Sequence, residues 1–234
     1  MPPYSNDDEL FTLLRSELFT AVVGDILDKL GFQHQFLPAG IAPLKSGMTL
    51  AGRAMPVLEA DVFEDNRKGT GEAGRGPLSG KPFGLMLEAL DDLKPGEIYV
   101  ATGASLRYAL WGELMSTRAQ HLKANGAVLD GYLRDADAIE ALGFPAFCRG
   151  VYAQDQGPRG KVVDFRCGIE IGGVYIEPGT LLFGDREGVL TIPKPAEEEV
   201  IRLSLEKAAA ENKVGEAIRA GMGAVEAFET FGVM

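Results

Sequence analysis

The sequence predicts the α/β class, as one domain with helical ends. Three observations carry that expectation. Short apolar runs at 97–101, 127–129, 146–148 and 181–183 each read as buried strands. Stretches with apolar residues three and four apart lie between the first three runs, giving β-loop-α units. Longer stretches of helical period stand at both ends, over about 7–30 and 196–220. The 234 residues are taken as a single domain, 1–234, enough chain for a sizeable core.

Residues 7–30 carry Leu10, Leu13, Leu14 and Leu18, then Val23, Ile26, Leu27 and Leu30. A break at Thr20 or Gly24 would divide this run into two helices, and Gly31 suits a C-terminal cap. Asp25 and Asp28 fall on the solvated face. From about 36 to 64 the pattern turns strand-like, punctuated by glycine and proline as in short strands near a sheet edge. Residues 61–82 are polar and glycine-rich, and a loop of that length is usually functional or mobile. Phe83, Leu87 and Leu90 mark an amphipathic helix over 83–93, and Pro95-Gly96 turns the chain into the strand at 97–101.

A small-residue loop, Thr102-Gly103-Ala104-Ser105, leads to a second helix with a buried stripe of Trp111, Met115, Ala119 and Leu122. Gly126 closes it. The strand at 127–129 runs through Arg134-Asp135 into a helix over 137–142, and Gly143-Phe144-Pro145 precedes the strand at 146–148. Residues 161–192 are β-rich, with Gly172-Gly173 as a two-residue hairpin turn. A long helix follows Pro193 and Pro195, and residues 227–232 form a tail.

Charge and composition narrow the function. A net charge of −11 argues against a nucleic-acid partner, because holding a polyanion draws on clustered Lys and Arg. No apolar run approaches the ~18 residues that span a bilayer. The acidic start, Asp7-Asp8-Glu9, is the reverse of a secretory signal. No membrane partner is therefore expected, and a cytoplasmic location fits best. Cys148 and Cys167 are too few for a disulfide framework or a thiolate metal site. His34 and His121 leave almost no room for a multi-histidine zinc site.

Two motifs are rejected on context. Gly69-Thr70-Gly71-Glu72-Ala73-Gly74 satisfies G-x-G-x-x-G, but no buried strand precedes it and no helix follows, so a dinucleotide site is not supported. Gly80-Lys81 resembles the end of a phosphate loop, yet the first glycine is missing and Pro82 replaces the hydroxyl residue.

Arg134-Asp135 is the strongest chemical candidate. Arg134 is a fixed cation and Asp135 a hard oxygen ligand. The bland alternatives are a surface ion pair of Arg134 with Asp130 or Asp135, and helix capping by Asp135. Asp137 and Glu140, in the relation of a capping box, offer the better cap and leave Asp135 free. A helix beginning near Gly112 would aim the amides of Gly112, Glu113 and Leu114 at the same region, where a carboxylate binds well. Such parts suit a 2-oxo acid. A Mg²⁺ or Mn²⁺ ion on Asp135 would act as Lewis acid for a developing enolate, and Arg134 would stabilise its oxygen. Lys123 and Lys161 are the remaining candidates for a Schiff-base route.

The blocks Trp111-Gly112-Glu113-Leu114, Val128-Leu129-Asp130-Gly131-Tyr132-Leu133-Arg134-Asp135 and Ala141-Leu142-Gly143-Phe144-Pro145-Ala146-Phe147 occur in this order. They are followed by Pro178-Gly179, Phe183-Gly184-Asp185 and Gly188-Val189. Together they resemble the family of the regulator of ribonuclease activity A, in its 4-hydroxy-4-methyl-2-oxoglutarate aldolase branch, from about residue 18 to the end. The resemblance implies a compact α/β/α core with a mixed sheet and assembly as homotrimers or hexamers with sites between subunits. It also implies pyruvate contact by Arg134, metal binding by Asp135, and carboxylate binding by the amides of Gly112, Glu113 and Leu114. Asp25 falls where an early aspartate approaches the rest of the substrate. Glu197, Glu198 and Glu199 are candidates for a neighbour's contribution to the metal's outer shell, although the helix dipole also explains them. The regulatory branch lacks the metal aspartate, so Asp135 points to the enzymatic one.

The sequence departs from its relatives in residues 61–82 and 102–107, where selectivity is expected to lie. The function expected is a metal-dependent aldolase releasing pyruvate from a 4-hydroxy-2-oxo acid, with oxaloacetate decarboxylation as a side activity. The base is either a metal-held water or hydroxide, or Asp25. The alternatives are a non-catalytic regulator of the ribonuclease-binding kind and a sugar-acid lyase or hydratase.

Overall fold

The structure is a computed structural model that describes residues 3–63 and 77–232. Most of the 61–82 loop, including Gly69 to Gly74, lies outside the described residues. The architecture is mixed α/β, with one large mixed sheet and helices at both ends.

The first helical run does break at Leu18-Phe19, giving α1 (Asp7–Glu17) and α2 (Thr20–Lys29). Leu10, Leu14, Val23 and Leu27 of these helices are buried against Val200 and Ile201 of the long C-terminal helix α6 (Glu197–Arg219). A last helix, α7 (Ala224–Phe231), follows it.

The sheet runs in the order β1 (Ala42–Pro43), β7 (Ala146–Cys148), β5 (Gly126–Leu129), β3 (Glu97–Thr102), β2 (Leu50–Asp61), β12 (Leu181–Asp185), β13 (Gly188–Ile192). β2, β3, β5 and β7 are parallel, while β1, β12 and β13 pair antiparallel with their neighbours. β9 (Gly160–Phe165) also pairs with β2, on the flank that β12 leaves open.

The expectation of short edge strands over 36–64 is thereby corrected, since β2 is a 12-residue strand in the middle of the sheet. Pro56 sits inside it without loss. Arg53 donates to Gly96 on the β3 side and Ala54 to Thr180 on the other. Alternation turns the nitrogen of Pro56 to the second flank, between β12 and β9, where no ladder bond is due.

Alternating residues divide the two faces of the sheet. Ala51, Phe183 and Ile192 pack under α1, α2 and α6. Met55, Tyr99, Ala127 and Leu129 pack under α3 (Met86–Asp91), α4 (Glu113–His121) and α5 (Ala136–Leu142). Ile98, Val100, Val128 and Phe147 face the hairpin of β10 (Ile169–Ile171) and β11 (Val174–Ile176), which turns at Gly172-Gly173 as expected.

Two helices differ from expectation. α3 spans only Met86–Asp91, with Met86 and Leu90 buried and Leu87 exposed. Trp111 belongs to a strand rather than to the helix that follows. That strand, β4 (Ala109–Trp111), joins β6 (Tyr132–Leu133) and β8 (Gly150–Val151) in a small parallel sheet. Each of its members directly follows β3, β5 or β7 in the chain. The small sheet therefore extends the parallel strands beyond their carboxyl ends, where α/β proteins place their ligands.

The Gly184-Asp185 pair is a structural device. Asp185 Oδ2 accepts from the Thr20 N–H at 2.7 Å, and Oδ1 accepts from the Thr20 hydroxyl at 2.7 Å and the Glu187 N–H at 2.8 Å. It caps α2 from 165 residues away. Replacing it, as in Asp185→Ala, is expected to lower stability by about 1–2 kcal/mol in urea unfolding, the size of a lost helix cap. A midpoint unchanged from the wild type would contradict that role.

Candidate active site

The loops after β4, β6 and β8 converge because their strands are neighbours. β4 leads to Gly112 and the start of α4, β6 to Arg134-Asp135, and β8 to the turn at Asp155-Gln156. The Arg134 N–H donates to the Trp111 carbonyl at 2.9 Å and the Tyr152 N–H to the Leu133 carbonyl at 2.9 Å. These bonds keep the three loops in step.

Trp111 anchors the first of them. It is buried 4.8 Å from the ring of Tyr99 and stacks at 6.0 Å on Phe144. Its indole N–H donates to Ser116 Oγ at 2.7 Å, and that hydroxyl donates to the Gly112 carbonyl at 3.2 Å. The helix begins at Glu113 with Gly112 as its cap residue, as expected, so the first amides lack intrahelical partners. Gly112 has a packing reason as well, because a Cβ there would stand 2.8 Å from Asp135 Oδ2.

Asp135 is left-handed, at φ 60° and ψ 37°, and it occupies the N-cap position of α5 without capping it through its side chain. The expected capping box of Asp137 and Glu140 does not hold, since α5 starts at Ala136 and Asp137 lies in its first turn. The Asp135 carboxylate is free of its own helix for a different reason: it turns to the neighbouring one. Oδ2 accepts from the Glu113 N–H at 3.2 Å and lies 3.8 Å from Arg134 Nε. Oδ1 makes no hydrogen bond among the described residues.

Arg134 is half-buried. Its Nη1 donates to Asp155 Oδ1 at 2.7 Å, a partner that sequence reasoning missed. Asp155 is held in turn by the Gly157 N–H on Oδ2 at 2.9 Å. Asp130 is not the partner of Arg134; it accepts from Arg149 Nε at 2.5 Å. Only the proximity of Asp155 across the chain reveals its role, and its sole sequence signal is an acid in a turn after a short strand.

A cavity of about 270 Å³ opens at this point. Gly112, Arg134, Asp135, Asp155 and Gln156 line it together with apolar side chains of α3, β4 and α4. No residue of 102–107 lines it. That segment is instead tied to the end of β2, where Asp61 accepts from the Ser105 N–H, Arg107 and the Tyr108 hydroxyl. Burial alone would raise the Asp61 carboxyl, but these bonds outweigh it and hold the group well below the usual carboxylate range.

The remaining candidates lie elsewhere within the chain. Asp25 is exposed on α2, accepts from Lys207 Nζ at 2.8 Å and lines a separate groove between α2 and α6. Glu197 is engaged by Arg53 at 2.6 Å. Lys123 is exposed, and the Nζ of buried Lys161 donates to the Leu78 carbonyl at 3.2 Å. Neither lysine lines the cavity. Among the described residues no group of three or more His, Cys, Asp and Glu could cage a metal. A lone carboxylate with a spare oxygen does suit a hard ion such as Mg²⁺ or Mn²⁺ that keeps most of its waters.

Behind the cavity, the Gln156 amide donates to Glu59 Oε2 at 2.6 Å. Glu59 is fully buried on β2, and its Oε1 has no partner. Burial, with a smaller push from the Asp61 charge, raises its carboxyl to about 8. The group is therefore neutral through most of the physiological range.

Comparison with known proteins places this geometry in context. A model of the RraA-like family, described as Aldolase/RraA, matches residues 20–191. A protein of Halalkalibacterium halodurans named "Putative 4-hydroxy-4-methyl-2-oxoglutarate aldolase" is 36% identical over 145 residues, covering 61% of this chain and 68% of that protein. Protein DlpA of Legionella pneumophila is 27% identical over 91% of this chain, which spans only 32% of that longer protein. The crystal structure of Streptomyces coelicolor RraAS2, described as an unusual member of the RNase ES inhibitor RraA family, shares the fold. Its TM-score is 0.71, with 21% identity, over 94% of this chain and all of the other. None of the described helices is long and apolar enough to cross a membrane.

The buried Glu59 carboxyl gives a pH signature. Its folded value lies above the ordinary 4.5, so the stability it contributes is complete below about pH 4.5 and is lost as pH rises toward about 8. Glu59→Gln removes that titration. Between pH 5.5 and 7.5 the stability of the variant relative to wild type is expected to rise by about 1–3 kcal/mol in urea unfolding. Parallel pH profiles for the two proteins would show that Glu59 does not titrate in this window.

Proposed function

The chain belongs to the RraA-like family, described as Aldolase/RraA, and from that premise we propose that it is a divalent-metal-dependent lyase cleaving a 4-hydroxy-2-oxo acid to release pyruvate. The observation that carries this reading is the meeting of the α4 amides, Arg134 and Asp135 on one cavity wall. An anion anchor, a cation and a hard oxygen ligand are the parts that such a substrate requires.

In this reading the carboxylate of the 2-oxo acid sits at the start of α4, where the amides from Gly112 to Leu114 and the helix dipole favour negative charge. Asp135 would hold Mg²⁺ or Mn²⁺, which would supply Lewis acidity for enolate formation. Arg134, fixed by Asp155, directs its guanidinium toward the 2-oxo oxygen, where charge grows as the C3–C4 bond breaks. The 4-hydroxyl proton leaves to a base as the carbonyl product forms. The electron pair of the broken bond passes into the enolate, which takes a proton at C3 to give pyruvate. Oxaloacetate would lose CO₂ through the same enolate. Asp25 lines a different groove, so a role for it calls for a second copy of the chain, in keeping with a homotrimer or hexamer.

The test is pyruvate release from a panel of 4-hydroxy-2-oxo acids and oxaloacetate, with Mg²⁺ or Mn²⁺ and with EDTA. Chelation is expected to abolish turnover. Asp135→Asn, which keeps the left-handed backbone accessible, is expected to lower kcat/KM by about 10²-fold or more while the melting temperature stays near wild type. Absence of pyruvate release from every acid, with metal present, would sink the reading and leave the non-catalytic regulator and the sugar-acid lyase or hydratase.

A further inference from the structure

The cavity beside Arg134 is chemically two-sided. Its polar end holds a single guanidinium, already balanced by Asp155 and Asp135. Its far wall is built by Phe83, Met86, Leu87 and Leu90 from α3 and the turn before it, and by Leu114 and Met115 from α4. Met86 and Leu90 are almost fully buried, while Leu87 and Leu114 are 57% and 81% exposed at the rim. Arg134 is the only cationic side chain among the described residues that line the cavity.

We infer that the substrate carries an apolar substituent on C4, an alkyl or aryl group rather than a second carboxylate. This rests on the reading of the site as a 2-oxo acid lyase and goes beyond it by naming the substrate class. With the 2-oxo carboxylate at the α4 amides and the 2-oxo group at Arg134 and Asp135, the chain from C4 onward points away from the polar end. There it meets side chains without hydrogen-bond donors. A carboxylate placed on this wall would lose hydration and find no cation among the described lining residues, with Asp155 and Asp135 nearby to repel it. An alkyl group would pack against Met86, Leu90 and Met115 and cover the exposed rim of Leu87 and Leu114. The reaction is R–CH(OH)–CH₂–CO–COO⁻ to R–CHO and CH₃–CO–COO⁻. The C3–C4 bond breaks, the 4-hydroxyl proton leaves, and C3 gains one proton, so no oxidant or reductant is needed.

The test compares matched acids in the full-length protein with Mg²⁺ present. Turnover is measured with 4-hydroxy-2-oxoheptanoate against 4-hydroxy-2-oxohexanedioate. Binding is measured by calorimetry with the non-cleavable pair 2-oxoheptanoate and 2-oxohexanedioate. The apolar acid is expected to lead by about tenfold or more in kcat/KM and in Kd. Leu87→Lys places a cation on the rim at an exposed position, and it is expected to shift both ratios toward the diacid by about tenfold. Equal or reversed preference in the wild type overturns the inference, and if pyruvate is still released, the lyase reading survives that failure. Where neither acid yields pyruvate, the lyase reading falls and the binding ratio alone decides the wall's preference. Failure of both acids to bind also overturns the inference.

Discussion

Arg134 donates its backbone N–H to the carbonyl of Trp111, and the parallel pairing that contains this bond fixes where the chemistry can be. β4 and β6 together contribute only five residues, yet each ends on an element that lines the cavity. Their adjacency sets the first turn of α4 against Arg134-Asp135, and β8 brings Asp155 to the same place by the same rule. Trp111 makes the arrangement stiff. Its ring is locked between Tyr99 and Phe144, and its N–H fastens Ser116 and through it the carbonyl of Gly112.

The electrostatics follow from that geometry. Arg134 is held by a carboxylate on each side, one from its own turn and one from the loop after β8. Pairs as exposed as these contribute little to stability, so their effect is mainly one of orientation. Behind them the Gln156–Glu59 bond ties the Asp155 loop to the central strand of the sheet. A neutral Glu59 serves this purpose without placing a second negative charge inside the core.

The helices and main strands were legible because burial repeats along them. Leu10 and Leu14, Tyr99 and Ala101, and Ala127 and Leu129 all stand where period predicts. The convergence of Gly112, Arg134 and Asp135 on one cavity was also legible, from residue chemistry and from the resemblance of their blocks to a known family. What escaped was short or long-range. β4, β6 and β8 went unread because they are two or three residues long and not set apart by turn residues as 146–148 is, so Trp111 was assigned to a helix. Pro56 suggested an edge because a sequence does not say which flank a nitrogen faces. Asp155 and Glu59 escaped because their partners lie 21 and 97 residues away. The capping box at Asp137 was a local signal that did not hold, because α5 starts at Ala136 with Asp135 in the N-cap position, two residues before Asp137.

The left-handed backbone of Asp135 has a consequence for descent. Only glycine, asparagine and aspartate enter that region readily. The single-residue routes away from the carboxylate that spare the turn are therefore Asn and Gly, of which Asn also keeps an acceptor for the Glu113 N–H of α4. Chains on this scaffold can shed the carboxylate without rebuilding the fold, and recover it as easily. Loss or gain of a carboxylate at this position is thus limited by selection on what the carboxylate does rather than by foldability.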